Sequence, residues 1–335
     1  MSVAIRCAFA VVVAMSSSGC SGSERPGAIP ESEGYVTTDD GLHLFYRKVG
    51  AGSATVVLPA GLFLHPALRD VAPGRTLVFY DMRNRGRSDS VSVDRENSIQ
   101  RDVADLEALR AELGIEKMDL VGWSYLGLMV AMYAMDHPDR VGRIIQIGPV
   151  PMRFATQYPE GLASPDYFAS LDSAGVAELR ALRSAGFHES NPREYCEREW
   201  EVTRFSLVGN PDSVHRVPSG PCDMPNEWPI RLGSHFDRHF TSVQQLEIPI
   251  EKIRAIEQPV LVIHGTRDRN AAYGAGREWA LHLPGARLLT VEGAAHCPWA
   301  DRHDLVIGAI RTFLSGDWPE GVEDVEQLER RAAGS

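Results

Sequence analysis

Ser124, Asp268 and His296 are residue types that cooperate in nucleophilic catalysis, and each follows a short apolar segment of the chain. A serine hydroxyl is a weak nucleophile that needs a base to take its proton, and a histidine base needs an acid to fix its tautomer. Apolar segments of this length are typical of buried strands. Because sites on open parallel sheets lie at the carboxyl ends of the strands, we expect the three side chains to meet at one edge. The sequence therefore predicts a Ser124 nucleophile, a His296 base and an Asp268 acid.

The segment around the serine has the form of a strand, a sharp turn and a helix. It reads Gly122-Trp123-Ser124-Tyr125-Leu126-Gly127 and continues as an apolar, helix-favouring run. Such a turn projects the hydroxyl from the sheet, and the helix start directs unpaired amides and its positive dipole end toward it. The usual pattern has glycine two residues after the serine, where this chain has Leu126. A helix-capping serine without catalytic function is the alternative interpretation.

The elements that would position these residues alternate between strands and helices. A mostly parallel sheet covered by helices on both faces is therefore predicted. Strands are predicted at Tyr35–Thr38, Leu42–Val49, Thr55–Leu58, Thr76–Tyr80, a run ending at Val121, Val141–Ile147, Pro259–His264 and, as the last strand, Ala286–Val291. Helices are predicted at Ser98–Leu113, Leu128–Met135, Tyr273–Leu283 and Leu305–Leu314.

The alternation stops in the middle of the chain. Residues 35–150 and 258–316 are predicted to form the sheet domain, and residues 151–257 a helical lid inserted into it. Helical patterns within the lid lie near Ala174–Ala185 and Pro192–Phe205. Residues 317–335 are predicted to be a charged, solvated helical tail.

The amino terminus has the pattern of an export signal. Arg6 precedes an apolar run that is too short to span a bilayer, and the small residues before Cys20 resemble a bacterial lipoprotein signal. We expect residues 1–20 to be a signal peptide with lipid attached at Cys20, and residues 21–34 to be a flexible tether. The protein would then be exported and held at a membrane only through this anchor. Ordinary secretion is the alternative.

The formal net charge of -11 and the isoelectric point near 5.5 argue against nucleic-acid binding. Arg83, Arg85 and Arg87 form a local basic cluster that we interpret as a structural loop. No cofactor is predicted.

Cysteine and histidine spacing gives no metal site. Cys196 and Cys222 could pair in an oxidising compartment, and Cys297 is expected to be a buried free thiol. His235 and His239 have helical spacing, but Phe236 stands where a zinc protease has glutamate. His264 is interpreted as a structural histidine.

Four motifs together resemble the α/β-hydrolase-fold serine hydrolases of the lidded group that includes proline iminopeptidases and esterases. The chain order of serine, acid and histidine is also that of this fold. The motifs are the loop Asp81-Met82-Arg83-Asn84-Arg85-Gly86-Arg87-Ser88, similar to D-x-R-x-x-G-x-S, the serine turn, the loop at Asp268, and Ala295-His296-Cys297-Pro298-Trp299.

The resemblance implies an oxyanion hole made of two backbone N–H groups. One is that of Tyr125, and the other is that of Gly61 or Leu62. In the loop that carries these two residues, Pro59-Ala60 replaces the usual His-Gly of the group. Losing one such donor costs about 2.7–4 kcal/mol of transition-state stabilisation.

The resemblance also suggests residues that contact the substrate. Trp123 is one, and the lid glutamates Glu197, Glu199 and Glu201, beside Trp200, could hold a substrate ammonium as in proline iminopeptidases. A solvated charged helix face is the alternative explanation for the glutamates.

The resulting prediction is a serine hydrolase that cleaves an ester or amide in a small molecule or peptide through an acyl-enzyme. A proline-iminopeptidase-like aminopeptidase is the most specific candidate, and an esterase is the second. A non-catalytic surface binding protein on the same fold is the third, for which Leu126 and Pro59-Ala60 are the main arguments.

Overall fold

The structure, a computed structural model, describes residues 29–91, 97–218, 221–228 and 239–333. The predicted signal peptide with Cys20, the first part of the predicted tether, and His235 lie outside the described residues.

A single mixed sheet runs through the described part of the chain, in the strand order β1-β2-β4-β3-β5-β6-β7-β8-β9. Its central pairs from β4 to β8 are parallel, and the pairs at the two ends are antiparallel. The predicted fold class, a mostly parallel sheet with helices on both faces, is confirmed. The strands are β1 Glu31–Thr37, β2 His43–Val49, β3 Ala54–Pro59, β4 Arg75–Tyr80, β5 Met118–Trp123, β6 Val141–Ile147, β7 Val260–Gly265, β8 Ala286–Val291 and β9 Val322–Glu323.

The helices pack on both faces of this sheet and cover two separate hydrophobic clusters. Neighbouring residues of one strand join different clusters, as Val56 and Val57 do, because side chains alternate between the faces of a strand. The helices are α1 Gly61–Leu68, α2 Ile99–Glu112, α3 Tyr125–Asp136, α4 Ser173–Ser184, α5 Phe187–Ser190, α6 Pro192–Thr203, α7 Thr241–Gln244, α8 Ile250–Arg254, α9 Tyr273–His282, α10 Pro298–Asp301, α11 His303–Leu314 and α12 Val325–Ala333. Each helix in the described part is too short or too polar to cross a lipid bilayer.

The sequence patterns explain the main elements. Every residue of β7 is buried, as expected for a continuous apolar strand covered on both faces. The α2 helix begins where the Ser98 hydroxyl accepts a hydrogen bond from the Arg101 N–H, a side-chain cap on an otherwise unpaired amide. In α11 the buried residues recur at helical spacing, from Val306 to Phe313, and cover one cluster.

Helices and 3-10 turns make up the regular structure of residues 151–257 in the described part. Trp200 and Leu207 from this segment pack into the same cluster as Phe63 and Trp299. A disulfide between Cys196 and Cys222 joins α6 to the turn Pro221–Asp223. Cys297 is a buried free thiol, as predicted.

Two boundaries differ from the prediction. The last residues of the predicted tether, from Glu31, already belong to β1. At the other end, β9 pairs with β8, so Ala286–Val291 is not the last strand. A strand as short as β9 offers too few residues to show an alternating pattern. Val325 at the start of α12 is 0% exposed, which shows that the tail is not wholly solvated.

Candidate active site

Ser124 lies at the sharp turn between β5 and α3. Its backbone has φ 61° and ψ −132°, an unusual conformation for a residue other than glycine. Strain of this kind costs on the order of 1–3 kcal/mol and persists where the surroundings over-determine it. Here the Ser124 N–H donates to the Ile147 carbonyl at 2.9 Å, and the Gly127 N–H donates to the Ser124 carbonyl at 2.9 Å. The turn therefore holds the serine in a fixed, strained position.

The packing around this turn explains why Leu126 is accepted. A side chain at Gly122 would place its Cβ 2.3 Å from the Leu126 carbonyl oxygen, so the position before the turn must be glycine. A Cβ at Gly127 would lie 3.0 Å from the Cβ of Pro149. The side chain of Leu126 is buried and lines the cavity next to Ser124. The leucine thus takes part in the cavity wall without blocking the turn.

Asp268 and His296 form a buried pair. Nδ1 of His296 lies 2.8 Å from Oδ2 of Asp268, and Oδ1 of Asp268 accepts the N–H groups of Asn270 and Ala271 at 2.8 and 2.9 Å. Burial alone would raise the pKa of Asp268. The electrostatic effect of His296 and hydrogen bonds from His264 and His296 outweigh it and hold this pKa well below its usual range. The acid is therefore ionised and oriented toward the histidine.

The end of β6 makes room for this pair. Gly148 has φ +52°, and a Cβ there would lie 3.1 Å from Oδ2 of Asp268 and 3.2 Å from Nδ1 of His296. His264 is fully buried beneath the acid, with Nε2 3.1 Å from the Ala271 carbonyl and 3.3 Å from Oδ2 of Asp268. It supports the acid loop and is not among the residues that line the cavity.

Trp123 holds the histidine loop in place. Its Nε1–H donates to the His296 carbonyl at 2.8 Å, and the two rings lie 5.1 Å apart. The indole also packs against Phe63 and Trp299. Trp123 lines the cavity, where the sequence predicted a substrate contact.

Asp301 is a supporting residue that the sequence analysis missed. Its Oδ2 accepts the N–H groups of Ala295 and Gly209 at 3.0 and 2.8 Å, and its Oδ1 accepts that of Asn210 at 3.0 Å. The carboxylate thereby ties the loop before His296 to the middle of the inserted segment. An acidic residue close to the histidine was the only signal in the sequence.

A cavity of about 330 Å³ brings Ser124 and His296 together. Most of the residues in its wall are apolar, and many of these are aromatic. The aromatic side chains are Phe63, Trp123, Tyr125, Phe154, Tyr167, Trp200 and Phe240.

One of the three lid glutamates lines the cavity, and the other two do not. Glu199 lines the cavity, whereas Glu197 pairs with Arg193 on the surface at 2.9 Å and Glu201 is exposed. Residues two apart on a helix point about 200° apart, so the face that directs Glu199 inward turns the other two outward. Glu197 and Glu201, which were predicted to contact the substrate, therefore lie outside the cavity wall.

One hydrogen bond reduces the two candidates for the second oxyanion donor to one. The Leu62 N–H donates to Oδ1 of Asp81 at 3.1 Å, so it is already engaged. Ala60 before it has φ 62° and lines the cavity. Gly61 is the candidate that remains for the second donor. The first is Tyr125, whose N–H opens α3 and has no partner within the helix.

Asp81 connects this loop to the loop that carries the arginine cluster. Its Oδ2 accepts the Arg87 N–H at 3.0 Å, and a Cβ at Gly86 would lie 2.1 Å from the same oxygen. Burial raises the pKa of Asp81 to about 6, against the opposing effect of the N–H groups of Arg87 and Leu62.

The three arginines of the cluster have different roles. Arg83 is buried against Asp105 and Arg87 pairs with Glu33, so these two are structural as predicted. Arg85 instead lines the cavity and pairs with Glu227, which corrects the interpretation of the whole cluster as a structural loop.

The described residues contain no group of three or more histidine, cysteine, aspartate or glutamate side chains arranged to hold a metal ion. His239 is buried and pairs with Asp102 through Nε2 and Oδ2 at 2.7 Å.

Comparison with known proteins shows the family of the chain. The model of the alpha/beta hydrolase fold family matches residues 50–302. A proline iminopeptidase of Xylella fastidiosa is 29% identical over 86% of this chain and 98% of its own length. A pimeloyl-[acyl-carrier protein] methyl ester esterase of Neisseria meningitidis is 26% identical over 59% of this chain and 70% of its own. Among solved structures, an esterase from a Rhodococcus strain superposes with a TM-score of 0.60 at 22% identity, covering 85% of this chain and 99% of that one.

Proposed function

This chain belongs to the alpha/beta hydrolase fold family and is a hydrolase, and we propose that it cleaves an ester or amide through a serine acyl-enzyme. One observation carries the proposal. The buried Asp268–His296 pair opens on the same cavity as a serine held at positive φ. Strained serines at the end of a strand, beside a histidine and its acid, are the arrangement that activates a hydroxyl for attack.

In the proposed mechanism Ser124 is the nucleophile and His296 the base. Oγ of Ser124 attacks the carbonyl carbon while Nε2 of His296 takes its proton, and Nδ1–H stays hydrogen-bonded to Asp268. The N–H groups of Tyr125 and Gly61 stabilise the oxyanion. The leaving group receives the proton from Nε2 and departs, leaving the acyl group on Ser124. Water then attacks the acyl carbonyl carbon while His296 takes its proton. His296 returns the proton to Oγ of Ser124, and the carboxylic acid product leaves.

An ester with an apolar part is the substrate that the cavity supports best. Its wall is mainly apolar, and Glu199 is the single glutamate of the three that reaches it. Binding of a substrate ammonium by a pair of lid glutamates is not supported, because Glu197 and Glu201 face outward. The proline-iminopeptidase-like alternative rests on Glu199 and on the similarity to the Xylella fastidiosa protein.

Labelling with a fluorophosphonate probe tests catalysis directly. The wild type should be labelled, Ser124→Ala should not, and its ester hydrolysis should fall by at least about 10⁴-fold. Ser206→Ala is the matched control, because Ser206 lines the same cavity and should leave labelling intact. Wild-type turnover by Ser124→Ala would refute the mechanism, and absence of labelling in the wild type would favour a binding protein. Turnover of nitrophenyl esters compared with proline naphthylamide separates esterase from aminopeptidase.

We further propose that the protein is exported and anchored through lipid on Cys20. The signal-like residues 1–20 support this, and the Cys196–Cys222 disulfide fits an oxidising compartment. Metabolic labelling with a fatty acid should mark the wild type and not Cys20→Ala. Equal labelling of both would exclude an anchor at this residue.

A further inference from the structure

Arg85 places a guanidinium group in the wall of a mostly apolar cavity. It occupies one of the variable positions of the D-x-R-x-x-G-x-S loop, so the loop pattern itself does not require arginine. The side chain is 14% exposed, lines the cavity beside Ser124, and lies 5.6 Å from the ring centre of Phe63. A charged group in such a wall needs a partner, or its burial would be costly.

Glu227 supplies the partner along one edge of the guanidinium. Nε and Nη2 of Arg85 donate to Oε1 and Oε2 of Glu227 at 2.9 and 3.0 Å. Oε1 of Glu227 also accepts the Gly86 N–H at 2.9 Å, and the Glu227 side chain is fully buried. The two-point pair is the geometry that a guanidinium and a carboxylate prefer.

The other edge of the guanidinium makes no such contact. Nη1 forms no hydrogen bond with any part of the chain that the structure describes. A guanidinium carries five N–H donors, so donors remain for a ligand. The charge of Arg85 is already balanced by the buried carboxylate of Glu227. A substrate carboxylate at Nη1 would be repelled by Glu227, whereas a neutral oxygen would not.

We propose that Arg85 is a specificity-determining residue that donates a hydrogen bond from Nη1 to a neutral carbonyl oxygen of the substrate, other than that of the bond cleaved. The substrate class is then an ester with a second, uncharged carbonyl group in its acyl or alcohol part. This inference rests on the proposed ester hydrolysis at Ser124.

Matched ester pairs test the proposal. Nitrophenyl 4-oxopentanoate against nitrophenyl pentanoate places the extra carbonyl in the acyl part, and 2-oxopropyl butyrate against propyl butyrate places it in the alcohol part. In the wild type kcat/KM for the keto ester of at least one pair should exceed that of its partner by about 10-fold or more, as expected of one charge-assisted hydrogen bond.

The variant must not leave a buried charge unpaired. Arg85→Met alone would strand Glu227, so the test uses Arg85→Met combined with Glu227→Gln, in which the glutamine can still accept the Gly86 N–H. The keto preference should fall to within about 3-fold of unity in this double variant. Arg85→Lys is the second variant if the first fails to fold. It keeps the ion pair but lacks the second terminal nitrogen, so the preference should fall there too.

The single variant Glu227→Gln should change the preference between anionic and neutral esters. Arg85 then faces the cavity with unbalanced charge, so nitrophenyl hemisuccinate, an anionic ester, should gain at least about 5-fold in kcat/KM relative to pentanoate compared with wild type. Retention of the keto preference without Arg85, its absence in both wild-type pairs, or no gain for the anionic ester would overturn the proposal. If no ester is hydrolysed and no probe labels Ser124, the proposed function fails instead.

Discussion

At the scale of single residues, the buried carboxylate of Asp81 holds two loops of the site together. Its two oxygens accept the N–H groups of Leu62 and Arg87, at 3.1 and 3.0 Å. Both loops adjoin the cavity, one through Ala60 and the other through Arg85. The ionisation of this carboxyl group should therefore change the stability of both loops beside the cavity.

Stability should depend on pH through Asp81. Its pKa in the folded protein is raised by burial from 3.8 to about 6, so between these values the folded state holds a proton that the unfolded state has released. The free energy of unfolding contributed by this group is therefore greatest at low pH and falls as pH rises toward 6. From pH 7 to pH 5 the wild type should gain about 1 kcal/mol more than Asp81→Asn.

Urea denaturation at the two pH values measures this difference. Asp317→Asn, which alters an exposed carboxyl, is the control and should follow the wild type. Parallel pH curves for wild type and Asp81→Asn would contradict the assignment.

The positions of three candidate catalytic residues could be predicted from sequence, because the end of a strand alone decides where each of them lies. Ser124, Asp268 and His296 each follow an apolar run, so the parallel sheet brings their loops to one edge. The choice among the lid glutamates depends on the rotation of α6 about its axis, which only tertiary packing sets. The partner of the Leu62 N–H is likewise set by a side chain from another loop, Asp81.

Among loops and helices, the link through Asp301 joins the histidine loop to the inserted segment. Asp301→Ala removes the acceptor of the Ala295, Gly209 and Asn210 N–H groups. A histidine base displaced by about 1 Å can cost on the order of 10²-fold, so kcat for a nitrophenyl ester should fall by about 10- to 100-fold.

The nearby variant Asp304→Ala serves as the control, since the Asp304 side chain is fully exposed. Its kcat should stay near that of the wild type. Thermal melting of both variants separates displacement of the loop from unfolding. An unchanged kcat in Asp301→Ala would show that the loop holds its position without the carboxylate.

The Cys196–Cys222 disulfide should stabilise the inserted segment. It closes a loop with a sequence separation of 26 residues, for which the chain-entropy model gives about 3–4 kcal/mol. The double variant Cys196→Ala, Cys222→Ala should unfold at lower urea concentration than the oxidised wild type, with no further effect of reductant. Cys297→Ala, which removes the free thiol, should remain sensitive to reductant. Equal midpoints for the oxidised wild type and the double variant would exclude a stabilising role.

For the molecule as a whole, the carboxyl terminus completes the sheet. Strand β9 covers the outer edge of β8, and α12 packs against α9 with Val325 buried and Glu329 3.6 Å from Arg277. Sequence did not predict this strand, because its pairing depends on where the chain passes after α11.

Removing residues 322–335 should therefore destabilise the protein. The truncation exposes the edge of β8 and the packing surface of Val325, a loss of about 1.5–3 kcal/mol for the side chain alone. The melting temperature should fall by several degrees, and the exposed edge should promote aggregation. Deleting only residues 334–335 is the control. An unchanged melting temperature after the longer deletion would show that the tail adds nothing to the fold.

The ion pair between Arg85 and Glu227 has a consequence for engineering. Its members lie 142 positions apart, one in the loop after β4 and the other in the insertion. A chimera in which the insertion is replaced by that of another hydrolase would keep Arg85 but lose Glu227. The guanidinium would then lie in the cavity wall without its counter-ion. Any attempt to retarget this enzyme by grafting must therefore move residue 85 together with the insertion, as one exchangeable unit.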